Sequence, residues 1–203
     1  MIFSSHFLYT FRLDRAIADR PYQKAKISMQ DSTILSKILS EHRPPEAIFS
    51  TLLPVLGDLL QCDRCFLYLR HPQTNIGKVV SCWCRSPEYP DVTDSDWKAE
   101  PTDLINNEDP LFAAALRAEP SIFVEDVETA DPKVVNKDFE RKNFGHRALI
   151  HAHLCDKNQL WGILQPCVFG QPRVWTETDR EIISDVIDKL TPIVVNYVTS
   201  TQN

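Results

Sequence analysis

The sequence predicts an α+β domain whose strands form one antiparallel sheet, and three observations lead to this fold class. Apolar residues recur at helical spacing in two stretches near the start, 32–43 and 46–60. The same spacing returns in the final stretch, which opens at Thr176. Between these ends lie short apolar runs bounded by polar turns, which is the pattern of β-strands. Since strands joined by short turns pair antiparallel, we expect one antiparallel sheet with helices at both chain ends.

The second and last helices carry features that predict their local geometry. Pro54 lies inside the second helix and is expected to kink it, because proline removes a backbone donor. Thr176 and Asp179 open the last helix at the spacing of a capping box. After Pro192, residues 193–195 are all apolar, which predicts that some other surface buries this end of the helix.

The strands are predicted from apolar runs at 65–69, 79–84, 121–124, 148–155 and 160–168. The last two runs predict a hairpin closed by a four-residue turn at 156–159. Residues 86–109, rich in proline and aspartate, predict a loop, and short helices are expected at 110–117 and around 138–143. The acidic residues scattered over 86–128 are interpreted as solvated surface.

Length and charge restrict the class of protein. A chain of 203 residues suits one domain, which we place at 44–203 after an N-terminal helix at 29–43. Residues 1–28 carry a net charge of +3 and are expected to be a flexible lead before a start at Met29. The remaining chain is acidic, since the total charge is −6, and an acidic body disfavours nucleic acid as a partner.

The cysteines and the apolar runs bear on the cellular compartment. No apolar run approaches the ~20 residues of a membrane span. The chain has six cysteines but no secretory signal, so we expect free thiols in a reducing cytoplasm rather than a disulfide framework.

Two phrases of the sequence carry a family resemblance. The first is Leu160-Trp161-Gly162-Ile163-Leu164 followed by Pro172-Arg173-Val174-Trp175, and the second is Gln61-Cys62-Asp63-Arg64-Cys65. In their order and separation they resemble GAF domains, especially the cyanobacterial phytochrome-like ones. The resemblance implies a GAF fold: a central antiparallel sheet with N- and C-terminal helices on one face and a pocket on the other. It also implies that the terminal helices bind a second copy, as a homodimer.

The chain departs from the resembled family at its pigment contacts. The positions that match the family's attachment Cys-His pair are Val135 and Asn136, and the position of its pigment-contacting histidine is Cys167. The resemblance therefore implies a non-enzymatic regulatory or assembly module that acts by binding a protein partner, with a small ligand as a further option and no obligatory cofactor. The residues it implies for a ligand are Val135, Asn136, His151, His153 and Cys167.

Two alternatives from other functional classes stay open. One is an atypical photosensory domain that holds a bilin or another tetrapyrrole without the usual pair, for example through Cys82, Cys84 or Cys167. The other is a thiol-based redox sensor or a GAF-fold reductase. The C-x-x-C spacing of Cys62 and Cys65 is interpreted as two buried thiols, because it joins a helix end to a strand.

Residues of the fourth predicted strand offer a zinc hypothesis. His151, His153 and Cys155 alternate, so a strand places them on one face, where imidazole and thiolate suit zinc. A four-residue hairpin turn pairs position 155 with 160 and sets Cys167 opposite Ala148, on the other face, whereas a shift of one residue would bring Cys167 to the same face. We therefore interpret these residues as ordinary strand residues and predict no metal. The sequence contains no P-loop, nucleophile elbow or zinc-protease motif either.

Overall fold

A computed structural model describes residues 29–100 and 109–201 of the chain. Its strands are β1 Arg64–His71, β2 Ile76–Cys84, β3 Lys98–Ala99, β4 Ile122–Val124, β5 Ala148–Asp156 and β6 Gln159–Val168. Its helices are α1 Met29–Ser40, α2 Pro45–Leu59, α3 Pro110–Leu116, α4 Lys137–Asn143 and α5 Glu177–Thr201. The strands form one antiparallel sheet in the order β3-β2-β1-β6-β5-β4. The predicted α+β class with an antiparallel sheet is confirmed.

One face of the sheet is covered by α1, α2 and α5, which we call the helical side. Alternate residues of β1 and β5 point into a core with the apolar faces of these helices. Leu52, Leu53 and Leu56 of α2 are fully buried there. Gly57 is part of the same contact, because a Cβ at this position would lie 2.1 Å from the Trp83 ring of β2. The helix can approach the sheet this closely only without a side chain at Gly57.

The start of α5 has the predicted cap. Thr176 donates its backbone N–H to Asp179 Oδ2 at 2.8 Å, and Asp179 N–H donates to Thr176 Oγ1 at 3.2 Å. This reciprocal pair is a capping box, and it satisfies backbone donors that a helix start leaves free. Near the other end of α5, Val194 is fully buried and Ile193 and Val195 pack half-buried against the core. The domain's own core therefore contacts these three residues and supplies at least part of the burial that the sequence predicted.

The opposite face of the sheet, which we call the pocket side, packs against α3 and the segment around α4. Phe66 and Tyr68 of β1 lie there with Ile163 and Cys167 of β6, in a second buried cluster that includes Phe112 of α3. Two clusters separated by one sheet are the layered arrangement expected for an α+β domain.

The β5–β6 hairpin differs from its prediction in a way that changes which face Cys167 occupies. The turn consists of Lys157 and Asn158 alone, both with positive φ, 50° and 59°. Cys155 pairs with Leu160 as predicted, but a bulge at Trp161 shifts the register by one residue. Cys167 consequently pairs with Leu149 rather than with Ala148 and lies on the pocket side.

A short edge strand and a buried ion pair lie in the region predicted to be loop. Glu100 follows β3, and its two carboxylate oxygens accept hydrogen bonds from Arg70 Nε and Nη2, each at 2.8 Å. Tyr68 Oη donates to the same carboxylate at 2.6 Å. Glu100 is 6% exposed and Asp94 is 9% exposed. The interpretation of the acidic residues of this region as solvated surface is therefore wrong for these two, which anchor the edge of the sheet.

Two predictions fall partly or wholly on residues outside the described ranges. The flexible lead at 1–28 lies outside them, as do residues 101–108 of the predicted loop. Within 29–100 and 109–201, no helix combines the length and the apolar character that crossing a membrane requires.

Candidate functional site

The pocket side of β1 begins with a buried arginine. Arg64 pairs with Cys84 of β2 and with Cys167 of β6, so its closest cross-strand neighbours on this face are two thiols. It is 0% exposed, and its guanidinium carbon lies 5.5 Å from the centre of the Phe66 ring and 5.0 Å from that of Phe169. Aromatic faces attract a cation, but much less strongly than a carboxylate does in a buried site.

The hydrogen bonds of Arg64 use only part of its capacity. Nη1 donates to the carbonyl oxygen of Pro90 at 3.2 Å. Nε and Nη2 are buried and have no hydrogen-bond partner, and no described carboxylate forms an ion pair with the guanidinium. Burying such a charge without an opposite charge costs several kcal/mol, on the order of that for a broken buried ion pair.

Glu140 and His146 form a second buried polar pair on the pocket side. Glu140 Oε2 lies 2.7 Å from His146 Nε2, and the two side chains are 3% and 0% exposed. The two atoms are at ion-pair distance but not in hydrogen-bond alignment, and each lacks a hydrogen-bond partner. Burial raises the pKa of Glu140 to about 8, against the opposing effect of the nearby Arg64 charge.

The charge of Glu140 follows from that pKa. Below pH 8 its carboxyl group keeps the proton, so Glu140 adds no negative charge beside Arg64. Arg64 therefore contributes an uncompensated positive charge. Asp109, which caps α3 through a hydrogen bond from Phe112 N–H at 3.0 Å, is a further acid of this region. Burial raises the pKa of Asp109 to about 7.

His151 and His153 of β5 form a hydrogen-bonded chain. His153 Nδ1 lies 2.7 Å from the carbonyl oxygen of Glu119, which can only accept, so Nδ1 carries the proton. His153 Nε2 then accepts from His151 Nδ1 at 2.9 Å. Burial lowers the pKa of both histidines, that of His151 most strongly. Both are neutral at neutral pH, and the chain ties β5 to the segment that precedes β4.

Comparison with known proteins decides the family. The profile of the GAF domain matches residues 44–190, which is most of the chain. The chain belongs to the GAF domain family. GAF domains are regulatory, ligand-binding modules, and they are generally sensory rather than catalytic. The predicted family is thus confirmed, and no curated protein matches the chain.

Solved structures agree on the fold. The GAF domain of an Acinetobacter phosphoenolpyruvate-protein phosphotransferase is 12% identical with a TM-score of 0.63, covering 87% of this chain and all of that one. The phycocyanobilin-bound GAF domain of a cyanobacterial phytochrome is 18% identical with a TM-score of 0.65, covering 84% and 96%. The chromophore-binding domain of an unusual bacteriophytochrome from R. palustris is 15% identical with a TM-score of 0.66, covering 84% and 62%. At these identities the likeness establishes the GAF fold alone.

The predicted ligand residues lie in three different places of the GAF domain. Val135 and Cys167 lie in the same buried cluster of the pocket side, at 2% and 0% exposure. His151 and His153 are buried on that side too, in the hydrogen-bonded chain of β5. Asn136 instead caps α4, since its side-chain oxygen accepts from Phe139 N–H at 3.2 Å. Their role toward a ligand stays a prediction.

The register of β6 also bears on the zinc hypothesis. The bulge at Trp161 puts Cys167 on the face of His151 and His153, which the sequence placed apart from it. Nevertheless Cys167 pairs with Leu149, and its thiol donates to the carbonyl oxygen of Gln165 at 3.5 Å. Within 29–100 and 109–201, no three His, Cys, Asp or Glu residues are arranged to hold one metal ion.

The sequence patterns above do not identify the most informative residues of the site. Arg64 belongs to a phrase typical of a helix-to-strand junction, and no motif contains Glu140 or His146. One signal was available: Arg64 is in phase with Phe66 and Tyr68, so a single charge stands on the buried face of an apolar strand. Nothing in the sequence pairs Glu140 with His146, since the first lies on a polar helix and the second in a turn.

The thiols of the GAF domain fall into two groups. Cys62 and Cys65 are fully buried, and burial raises the pKa of both well above the ordinary value. Cys82 and Cys84 are half-buried on the pocket side, with their sulfurs 3.9 Å apart. Their mutual hydrogen bond lowers the pKa of Cys84 and raises that of Cys82. Cys84 is therefore the thiol best suited to react.

An open groove lies at the β4 edge of the sheet. It has a volume of about 510 Å³ and runs between the segment after β4 and residues 172–174. Val134 and Val174 line it and are 37% and 70% exposed, two of the three large apolar side chains exposed among residues 29–100 and 109–201. Exposed Glu125 and Asp131 stand at its border. An apolar groove with an acidic border is typical of a contact surface.

Proposed function

We propose that this GAF domain is a non-enzymatic regulatory module that holds a small ligand on the pocket side of its sheet and acts through a protein partner. The observation that carries the proposal is the set of buried polar atoms in Arg64, Glu140 and His146 that have no hydrogen-bond partner. Buried polar groups in folded proteins are nearly always paired, so each exception needs an explanation such as a functional role or a bound ion or water. GAF domains bind ligands as a family, and these groups lie between the sheet and α4.

Ligand binding is tested by the stability of the protein in a dialysable extract of the cells that produce it. We expect the extract to raise the unfolding temperature, because a ligand that binds only the folded state stabilises it. The variant His146→Leu is expected to lose this increase. The matched control, His42→Leu, removes an exposed histidine and is expected to keep it. Equal unfolding temperatures of the wild type with and without extract would contradict ligand binding.

The partner is proposed to bind the groove at the β4 edge rather than the helical layer. The outward face of α5 is polar, with Glu181, Asp188 and Asn196 exposed, whereas Val174 presents an apolar side chain to solvent. Val174→Asp is expected to reduce capture of a cellular partner on the immobilised protein, since a charge replaces apolar contact area. Ile34→Asp changes the 45% exposed Ile34 of α1 and is expected to leave capture unchanged. The reverse result, or loss of self-association in Ile34→Asp, would place the contact on the terminal helices, as in the predicted homodimer.

A tetrapyrrole-binding photosensory domain is the second candidate. It is favoured by the pocket-side position of Cys82, Cys84 and Cys167, which are the thiols a covalent bond would need. Val135 and Asn136, at the positions matched to the attachment pair, offer neither a thiol nor an imidazole, so those two residues do not fit the group. Relatives of the same fold are described with bound bilins.

The absorption spectrum separates the two candidates. The protein is produced together with enzymes that make bilins and haem, purified, and measured in visible light before and after denaturation. A visible band that survives denaturant would show covalent attachment to a thiol. A spectrum without a visible band is the result expected of the regulatory module that we propose.

A further inference from the structure

We propose that the guanidinium fork of Arg64, formed by Nε and Nη2, binds the carboxylate of a small organic anion on the pocket side of the sheet. The inference rests on the ligand binding proposed above and names the chemical class of the ligand and the residue that recognises it.

The geometry of the fork is the first argument. Nε–H and Nη2–H of an arginine point in the same direction and match the two oxygens of one carboxylate. Arg64 has both of these nitrogens buried and unpartnered, while Nη1 is held by Pro90 O. The two unpartnered donors are thus the pair that a carboxylate engages. The hydrogen bond of Nη1 fixes the orientation of the guanidinium plane.

Two other arginines of the same protein show how this fork is used. Arg70 binds Glu100 through Nε and Nη2, and Arg147 binds Asp126 through the same two nitrogens. Arg70 lies on β1 only six residues after Arg64, on the same face, and is buried to a similar degree. Where the chain buries an arginine for structural reasons, it therefore supplies a carboxylate. At Arg64 the described residues supply none.

The surroundings define the rest of the ligand. No described carboxylate forms an ion pair with Arg64, and Glu140 is protonated below pH 8, so the uncompensated positive charge favours an anion. The rings of Phe66 and Phe169 flank the guanidinium, and Phe144 stacks on Phe66 with ring centres 6.3 Å apart. These apolar surroundings favour an anion whose body beyond the carboxylate is apolar, since a further charged group would be buried without a partner.

The segment that covers Arg64 indicates how a ligand enters. Residues 85–97 form no helix or strand, and they contact this part of the sheet through Pro90 O and through Tyr89, whose ring stacks on Phe169 at 4.7 Å. A small molecule reaches the fork when the part around Tyr89 and Pro90 moves aside, between ends of the segment that hydrogen bonds hold at Arg85 and Asp94. An acidic side chain of a folded partner is too short to reach a residue with 0% exposure, so a free small molecule is the ligand that fits.

The test uses benzoate as the probe, with benzamide and phenyl phosphate as its comparison compounds, in calorimetric titrations of the full chain. We expect benzoate to bind, benzamide to bind at least about tenfold more weakly, since it lacks the charge, and phenyl phosphate not to exceed benzoate. In the ¹H–¹⁵N spectrum, the Nε–H signal of Arg64 is expected to shift on addition of benzoate. It is identified by its absence in Arg64→Lys.

The variants make the assignment specific to the fork. Arg64→Lys keeps the charge but loses the paired donors, and it is expected to weaken benzoate binding by about tenfold or more. Arg64→Met is expected to fold, because it removes an uncompensated buried charge, and to lose benzoate binding. Arg141→Lys makes the same change at an exposed arginine of α4 and is expected to bind benzoate like the wild type.

Four results would overturn the assignment: no benzoate binding by the wild type, equal binding of benzamide, tighter binding of phenyl phosphate, or unchanged benzoate binding by both Arg64 variants. The proposed function is judged separately, by the cell extract. If the extract stabilises Arg64→Met as strongly as the wild type, the domain binds a ligand but not through Arg64. If the extract stabilises neither protein, ligand binding itself is refuted.

Discussion

Replacement of Glu140 by glutamine tests the electrostatics of the pocket side directly. The carboxyl group of Glu140 is buried, and burial raises its pKa from 4.5 to about 8. Glutamine has nearly the same shape but no proton to lose. The substitution should therefore remove the pH-dependent part of what Glu140 contributes to the free energy of unfolding. It should keep the packing of α4 against the sheet.

The magnitude follows from the linkage between pKa and stability. Below pH 4.5 the carboxyl group is protonated in both the folded and the unfolded chain and adds no pH-dependent term. As the pH rises, the unfolded chain loses this proton first, and stability falls until the folded chain ionises near pH 8. At about 1.4 kcal/mol per pKa unit, Glu140 lowers the free energy of unfolding by roughly 3 kcal/mol at pH 7 and by roughly 5 kcal/mol above pH 8.

The assay is urea unfolding followed by tryptophan fluorescence, at a series of pH values from acid to mildly alkaline. The Glu140→Gln protein is expected to gain stability relative to the wild type as the pH rises, and to exceed it by up to roughly 3 kcal/mol at pH 7. The variant also loses the contact with His146, which lowers its free energy of unfolding. This loss is the same at each pH as long as the charge of His146 does not change. The slope of the difference with pH is therefore the quantity to measure.

Glu181→Gln is the matched control, because it makes the same change at an exposed carboxyl group of α5. We expect it to leave the pH slope of the wild type unchanged. Parallel stability curves for Glu140→Gln and the wild type would refute the reasoning. Such a result would mean that Glu140 is ionised in the folded protein, and its negative charge would then offset that of Arg64.

Three further changes test other parts of the structure. Gly57→Ala should lower the free energy of unfolding in urea by about 1–3 kcal/mol, because its Cβ would lie 2.1 Å from the Trp83 ring. An increase in the free energy of unfolding, as expected for alanine in an exposed helix, would show that the ring moves away freely. Glu100→Gln should cost about 3–5 kcal/mol in the same assay, since it leaves the buried guanidinium of Arg70 without its carboxylate; a cost below 1 kcal/mol would mean that solvent reaches this pair. Cys84 should be the first thiol alkylated in the folded protein, because its hydrogen bond with the Cys82 thiol lowers its pKa. Mass spectrometry of peptides measures the order of alkylation, and equal reaction of all six cysteines would contradict the lowered pKa of Cys84.

Much of the fold could be predicted because strands and helices leave local patterns. The helical spacing near both ends and the alternation in β5 were sufficient for the element order and for the capping box at Thr176 and Asp179. The bulge at Trp161 was not predictable in this way, because inserting one residue into a strand of mainly apolar residues leaves the composition unchanged. That one residue decides the face on which Cys167 lies.

The candidate site was less predictable, for a physical reason. Arg64 and His146 are 82 positions apart in the chain, and Glu140 belongs to a helix with a polar sequence. Their common property is burial without a partner, which depends on the packed structure and not on neighbours in sequence. The predicted ligand residues follow from family position, which carries no information on local packing, and Asn136 caps α4.

The two arginines of β1 show how a structural charge differs from a functional one. Arg70 and Arg64 are both buried on the pocket side, and each arginine bears the same cost of desolvation. Arg70 recovers that cost from Glu100 and the edge strand, so its charge is explained by the sheet it holds together. Arg64 recovers only part of that cost, from one hydrogen bond to the carbonyl oxygen of Pro90 and from the rings of Phe66 and Phe169, because aromatic faces attract a cation less strongly than a carboxylate does. The cost that remains, together with the two unpartnered donors of the fork, supports the carboxylate site that we propose.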